Sequence, residues 1–307
     1  MATPWKLREN LRDCITFAGR TAPGFMVIAL GAATAVIRAA PAAPQFTSGV
    51  NVVEVYASVT DSRGEPMRGL RTEDFELREN GELQTISTFT AGDFPLSVAL
   101  ALDRSFSMAG DRLALAKSAA RVFLGELRPR DEAMVVAIGS EVETVAPLSS
   151  NRASQFEALS RIDAFGTTGL HDAILDAIDQ VQQAKGRRAL VLLSDGDDRY
   201  SRATAEQALE RARGSDVMIF PVGLGRARPR LFAELATITG GRSYHSRDSK
   251  LLTDTLRAIA RELREQYLLG YTPTRAIVAG EDEWRSITVT VKQPGLQVRA
   301  RDGYLVK

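Results

Sequence analysis

The chain has 307 residues, of which 44% are hydrophobic, 25% charged and 7% aromatic. This balance is typical of a globular protein and argues against a disordered chain, a collagen or a polytopic membrane protein. Thirty-nine Lys and Arg residues against 38 Asp and Glu residues give a formal net charge of +1, so the charge provides no reason to expect nucleic acid as the partner.

Residues 1–43 have the pattern of an export leader. Four basic residues precede an apolar run of 14 residues at 24–37, GFMVIALGAATAVI. A bilayer-spanning helix needs about 20 apolar residues, whereas a secretory signal needs about 7–15, followed by small residues. The RAAPAAP that follows predicts cleavage after Ala42 or Ala43, with an uncleaved N-terminal anchor as the alternative. We therefore expect a periplasmic, cell-envelope or secreted protein, with membrane contact only through such an anchor.

The single cysteine, Cys14, precedes the apolar run. The exported part of the chain therefore contains no cysteine, which excludes both disulfide stabilisation and thiol catalysis there.

The segments at the two ends of the mature chain are predicted to be β-structure. At 52–60, VVEVYASVT alternates with the period of a half-buried strand, and Asn80-Gly81 between FELREN and LQTISTF indicates a hairpin. Near the C-terminus, RSITVTV and LQVRARDGYLV have the same character. Each unit is too small to fold alone. We therefore predict that 47–93 and 264–307 pair in one small antiparallel β-sandwich.

Between these segments, residues 94–263 alternate apolar runs with amphipathic helical patterns. Near-continuous apolar strands between helices predict an α/β domain with a doubly wound, mostly parallel sheet covered on both faces. Ligands of such sheets bind beyond the carboxyl ends of the strands. The predicted helices cover about 111–127, 152–161, 170–184, 202–213, 229–238 and 249–265.

Hydroxyl and carboxylate side chains gather where these strands end. The run LSVALALD ends in Asp103, followed by Ser105 and Ser107; Thr168 lies in a loop that enters a helix; and ALVLLSD ends in Asp195. Carboxylates brought this close repel one another, and a divalent cation held by oxygen ligands removes that cost.

This constellation resembles the von Willebrand factor type A domain with a metal-ion-dependent adhesion site. All five signature positions are filled, and Thr168 is chosen over Thr167 because the Gly-Leu-His-Asp that follows fits the family's register. Phe106 departs from the family, in which many members have Gly. Together with the flanking β segments, the chain also resembles a bacterial group of exported proteins with related domains. The matching residues are Asp103, Ser105, Ser107, Thr168 and Asp195.

The resemblance implies a Mg²⁺ site, with Mn²⁺ or Ca²⁺ as the other ions considered, in a Rossmann-like domain. Oxygen ligands suit Mg²⁺, and the absence of imidazole and thiolate ligands from the set argues against zinc. The implied function is an exported protein-binding module for adhesion or scaffolding, in which an acidic side chain of a partner protein completes the coordination. We expect no enzymatic step, and Asp197 and Asp198 either contact waters of the site or repel an acidic partner.

Other interpretations stay open. The same residues could only cap helices, and the protein could be a structural envelope component with a metal-rigidified loop. A Mg²⁺-dependent phosphoryl-transfer enzyme would need a nucleophilic carboxylate and a fixed cation in a recognisable motif. The only histidines, His171 and His245, are read as packing or surface residues, and Arg199 and Tyr200 as solvated loop residues.

Overall fold

The protein is described here by a computed structural model. The structure describes residues 52–92, 94–225, 228–246, 250–276 and 282–306; the predicted leader at 1–43 lies outside them. Six α-helices occur in the described part: α1 Asp111–Glu126, α2 Arg152–Arg161, α3 Leu170–Val181, α4 Ala205–Arg213, α5 Arg230–Thr239 and α6 Lys250–Arg264. The strands there are β1 Val53–Thr60, β2 Phe75–Glu79, β3 Glu82–Gln84, β4 Ile86–Ala91, β5 Leu96–Asp103, β6 Glu132–Ile138, β7 Val142–Ser149, β8 Arg187–Ser194, β9 Val217–Gly223, β10 Tyr244–His245, β11 Tyr267–Tyr271, β12 Glu283–Val291, β13 Gln297–Arg299 and β14 Gly303–Val306.

A six-stranded sheet forms the centre of the predicted α/β domain. Its strand order is β10-β9-β8-β5-β6-β7, and neighbouring strands are parallel except for β7, which runs antiparallel to β6 at the edge. Every residue of β5 is buried. Alternate β5 side chains pack against α1, α2 and α6 on one face and against α3, α4 and α5 on the other. The predicted doubly wound, mostly parallel sheet is therefore confirmed.

The two ends of the described chain form a pair of four-stranded sheets. One sheet has the order β13-β1-β11-β4 and the other β14-β12-β2-β3, so each combines N-terminal and C-terminal strands. Strand β1 pairs antiparallel with β11, and β2 with β12. Apolar side chains of both sheets share one core. The predicted sandwich is confirmed, whereas the boundaries assigned to the leader and the three segments stay predictions.

Two predicted elements differ from the structure: the second strand of the Asn-Gly hairpin and the start of helix α4. The hairpin turn itself is as predicted, because Asn80 and Gly81 both have positive φ, 49° and 84°, and join β2 to β3. The LQTISTF run, however, divides into β3 and β4, which belong to different sheets. Helix α4 begins at Ala205, later than the predicted position 202, because Thr204 caps it in a reciprocal box with Gln207.

No helix in the described ranges has the length and apolar content needed to cross a bilayer.

A buried ionic network lies between the two sheets of the sandwich. Glu79 on β2 and Arg285 on β12 are only 3% and 1% exposed. The Glu79 carboxylate accepts hydrogen bonds from Tyr271 Oη at 2.6 Å, Tyr304 Oη at 2.8 Å and Arg285 Nη1 at 3.1 Å. Burial, together with the bond to Glu79, raises the pKa of Tyr304 to about 12 and raises that of Tyr271 as well. Both phenols therefore stay protonated as donors at neutral pH.

Replacing Glu79 should destabilise the sandwich strongly. Glu79→Ala leaves the buried Arg285 guanidinium with Glu283 alone, at 3.3 Å, and leaves both tyrosine hydroxyls without their acceptor. We expect a loss of about 3–5 kcal/mol in the free energy of unfolding. Urea denaturation at neutral pH measures it. The matched control is Glu76→Ala on the same strand, where the partly exposed pair with Arg78 contributes about 0–1 kcal/mol. Equal losses for the two variants would contradict this account of the network.

Candidate metal centre

Asp103 is the last residue of β5, and its side chain has no exposed surface. The main-chain N–H of Ser105 donates to Asp103 Oδ1 at 2.9 Å, and Ser194 Oγ donates to Asp103 Oδ2 at 2.6 Å. Ser194 ends β8, which lies directly beside β5 in the sheet. The carboxylate is thus held between the carboxyl ends of two neighbouring parallel strands.

The other candidate ligands of the first and third loops are joined to this point by hydroxyl groups. Ser105 Oγ lies 3.0 Å from Ser107 Oγ, and Ser107 Oγ donates to Asp195 Oδ2 at 2.6 Å. Ser105 is buried, Asp195 is half-buried and Ser107 is exposed. The set therefore runs from the interior of the sheet edge to solvent, which leaves one open side.

Thr168 lies in the second loop, between α2 and α3, and is 2% exposed. Main-chain hydrogen bonds connect this loop to the other two. Phe106 N donates to Gly166 O at 3.0 Å, and Arg199 N and Tyr200 N each donate to Thr168 O at 3.0 Å. The three loops that carry the five predicted residues therefore meet at one edge of the central sheet.

The electrostatics of the edge are dominated by the buried carboxylate. Burial raises the pKa of Asp103 above its ordinary value, and the nearby Asp195 carboxylate adds to this, while the hydrogen bonds from Ser194 and Ser105 oppose it. Within the described ranges, no basic side chain forms an ion pair with Asp103. On the open side, Arg112 Nη1 lies 3.8 Å from Asp195 Oδ2 and donates to Ser107 O at 2.7 Å.

The donor set fits a hard divalent cation. The five predicted residues offer two carboxylates and three hydroxyls, the ligand type that Mg²⁺ takes. Hydrogen bonds that involve their side chains connect four of them, whereas the contacts of Thr168 are made by its main-chain oxygen. In the part of the chain that the structure describes, no group of three or more His, Cys, Asp or Glu side chains converges, so a site of the kind that zinc uses is not found there. A buried carboxylate without a cationic partner is costly, and a bound divalent ion would offset that cost.

Several residues at this edge have roles that the sequence did not indicate. Ser194 contacts Asp103 directly, although in the sequence it is only the last residue of an apolar run. Asp198 Oδ1 accepts hydrogen bonds from Leu170 N at 2.7 Å and His171 N at 3.3 Å, so it caps α3. The helix begins after Gly169, which has no side chain to cap it. A glycine at this position in the sequence therefore indicates that the capping group comes from another loop.

The remaining residues noted in the sequence lie around the site. Asp197 is exposed and pairs with Arg199. His171 Nδ1 lies 3.1 Å from Ala203 O and 3.5 Å from Asp198 Oδ2, and His245 lies on the edge strand β10.

Comparison with known proteins shows what the central domain is similar to. Residues 98–197 match the model of the von Willebrand factor type A domain. The chain is 26% identical over 204 residues to inter-alpha-trypsin inhibitor heavy chain H4 of Bos taurus and 27% identical over 206 residues to that of Homo sapiens. Each alignment covers 60% of this chain and 22% of the relative, so the chain spans about a fifth of these relatives.

Among solved structures, von Willebrand factor type A from Catenulispora acidiphila is similar to this chain with a TM-score of 0.52 and 16% identity. The match covers 76% of this chain and 72% of that chain. At this level of identity the similarity concerns the fold alone.

Removing the charge of Asp103 should stabilise the metal-free protein. The pKa of Asp103 is raised in the folded state, so ionisation of this group opposes folding. In the presence of a chelator, Asp103→Asn should match the wild type below about pH 4, near the ordinary pKa of Asp. It should become the more stable of the two as the pH rises through the raised pKa. Chemical denaturation at a series of pH values measures the difference.

The matched control for this prediction is Asp163→Asn, which removes a carboxylate from an exposed position. The difference in the free energy of unfolding between this control and the wild type should not grow as the pH rises. An Asp103→Asn variant that is less stable than the wild type at neutral pH would mean that the hydrogen bonds to the carboxylate outweigh its burial.

Proposed function

Since residues 98–197 match the von Willebrand factor type A domain, we propose that the central domain binds a partner protein through a divalent cation, preferably Mg²⁺. The cation would be held by the five candidate ligands, and an acidic side chain of the partner would complete its coordination. The function is protein binding, in adhesion or scaffolding, without a bond-breaking step. The ligands are Asp103, Ser105, Ser107, Thr168 and Asp195.

The observation that carries this proposal is the buried carboxylate of Asp103. It lies beside Asp195 in a set of oxygen donors, and burial raises its pKa. A residue whose ionised form costs stability is expected where that form binds a ligand, because perturbed groups concentrate at functional sites. The alternative reading, in which these residues only cap helices, does not explain why a carboxylate lies at the fully buried end of β5.

The described residues have distinct tasks in this proposal. Ser194 and the main chain of Ser105 orient Asp103 from the interior. Ser107 and Asp195 form the open side, from which a partner can approach. A bound Mg²⁺ would supply an electrophilic position that accepts a carboxylate oxygen. The hydroxyl ligands are neutral and Mg²⁺ usually keeps waters in its coordination shell, so a carboxylate oxygen of the partner could replace one of those waters.

The proposal includes export of the protein. It is supported by the sequence of the first 43 residues, in which a basic segment, an apolar run and small residues follow one another. Protein recognition in the cell envelope or outside the cell is therefore the setting that we propose.

Divalent cations should stabilise the folded protein through this site. A ligand that binds only the folded state adds roughly 2.7 kcal/mol at a hundredfold excess over its Kd. We expect Mg²⁺ to raise the free energy of unfolding of the wild type by such an amount and to leave Asp195→Asn unchanged. Thermal or chemical denaturation across a Mg²⁺ titration measures this. Asp197→Asn, which removes an exposed carboxylate of the same loop, is the control and should respond as the wild type does.

Partner capture should depend on the same cation. Crosslinking of the full chain in its native setting should yield a product with its protein partner in Mg²⁺, no such product when EDTA is added before the crosslinker, and the product again when excess Mg²⁺ is restored before crosslinking. Asp103→Ala should capture no partner under either condition. Intact-mass analysis of the crosslinked products gives the readout. Capture that EDTA does not change would refute a metal-bridged contact.

A further inference from the structure

Three aromatic side chains are exposed at the carboxyl edge of the central sheet, and we call them the aromatic rim. Phe106, Phe165 and Tyr200 have exposed fractions of 68%, 62% and 60%. Phe106 lies between the two candidate serine ligands, Phe165 lies in the loop of Thr168, and Tyr200 lies in the loop that follows Asp195. Each of the three ligand-bearing loops thus presents one exposed aromatic side chain.

The same hydrogen bonds that join the loops hold the aromatic rim together. Phe106 N donates to Gly166 O at 3.0 Å, Phe165 N donates to Arg104 O at 2.7 Å, and Tyr200 N donates to Thr168 O at 3.0 Å. Each aromatic residue is therefore bonded through its own main chain to a neighbouring ligand loop. The backbone positions of the aromatic rim are thus set by the same contacts that bring the ligand loops together.

Basic side chains accompany the aromatic rim. Arg112 and Arg199 keep 45% and 72% of their side-chain surface exposed, and the Arg104 guanidinium carbon lies 5.7 Å from the centre of the Phe165 ring. Aromatic and arginine side chains are enriched at the energetic centres of protein interfaces. Each of the three arginines is, however, already paired with a carboxylate of the chain itself, respectively Asp195, Asp197 and Glu143. The exposed rings, in contrast, require apolar surface opposite them.

We propose that the aromatic rim selects the partner. The occupant is a protein segment with one acidic side chain flanked by aromatic or long aliphatic side chains, which pack on Phe106, Phe165 and Tyr200. This inference rests on the proposed function, because the acidic side chain is the one that would bind the cation. The rim adds a requirement that coordination alone does not impose, since any exposed carboxylate could bind a cation, whereas packing on the rings also needs apolar neighbours.

A selection experiment tests separately the acidic side chain that would bind the cation and the apolar neighbours that would pack on the aromatic rim. The protein is immobilised through an affinity tag added at its C-terminus, and a displayed library of random linear peptides is selected in Mg²⁺ and, in parallel, in EDTA. The probes are the enriched peptides, resynthesised with the acidic residue changed to its amide or with the apolar neighbours changed to Ala. Binding of each peptide to the wild-type chain is then measured by titration.

We expect Mg²⁺ selection to enrich Asp or Glu with apolar neighbours, and EDTA to abolish the enrichment. Replacing the apolar neighbours by Ala should weaken binding about tenfold or more, the loss that truncation of an interface anchor produces. The triple variant Phe106→Ser, Phe165→Ser, Tyr200→Ser should keep the acidic preference and lose the apolar one. The control Leu83→Ser, Leu251→Ser changes side chains that are 59% and 58% exposed outside the site, and should select as the wild type does.

The other outcomes decide against one or both proposals. Enrichment of acidic residues without apolar neighbours, or a rim variant that selects as the wild type does, overturns the role of the rim and leaves the cation-bridged contact standing. No enrichment in Mg²⁺, or enrichment that is identical in EDTA, overturns both. If the triple variant fails to fold, as judged by circular dichroism, the Ala-substituted peptides on the wild-type chain decide the question.

Discussion

The carboxylate of Asp103 lies at the end of a strand in which every residue is buried, and the polar groups around it compensate for the water that it has lost. A carboxylate in such a place needs donors, a cation or a proton. Ser105 and Ser194 provide one donor to each oxygen, yet burial still raises the pKa. The hydroxyl chain that runs outward to Asp195 extends the same set of oxygens to solvent. A cation bound there would offset the remaining cost of burying the charged carboxylate. The burial of this one side chain and the proposed function of the domain therefore have the same physical basis.

The β-sandwich supports the central sheet from the opposite edge. Gln266, which is fully buried between α6 and β11, donates to Ser58 Oγ of β1 at 2.9 Å and accepts from Arg187 Nη1 at 3.1 Å. Arg187 is the first residue of β8, so these contacts lie at the amino ends of the parallel strands. These contacts therefore lie at the opposite end of the parallel strands from the ligand loops. The sandwich can hold the central sheet there while the ligand loops stay exposed.

Most of the fold could be predicted from the sequence, because its strands and helices carry strong apolar periodicities. Strand β5 reads as a continuous apolar run, and its alternate residues do face two different helix layers. The division of LQTISTF between two sheets could not be predicted, because alternation shows that a residue is half-buried but not which sheet covers it. Ser194 was missed for a related reason, since one hydroxyl at the end of an apolar strand gives no indication of its neighbour across the sheet. The sequence places Asp198 beside the candidate site, but its capping of α3 depends on a contact between loops that are far apart in sequence.

The capping role of Asp198 bears on how tightly the candidate site can bind. Asp198 and Ser201 both accept hydrogen bonds from the first turn of α3, and Ser201 Oγ donates to Asp198 at 2.5 Å. The loop after β8 is thereby fastened to the helix that directly follows Thr168. Loops that are ordered before a ligand arrives do not lose that conformational entropy on binding. Residues beside the candidate ligands would therefore contribute to the affinity for the proposed cation without contacting it, by keeping three separate loops in one arrangement.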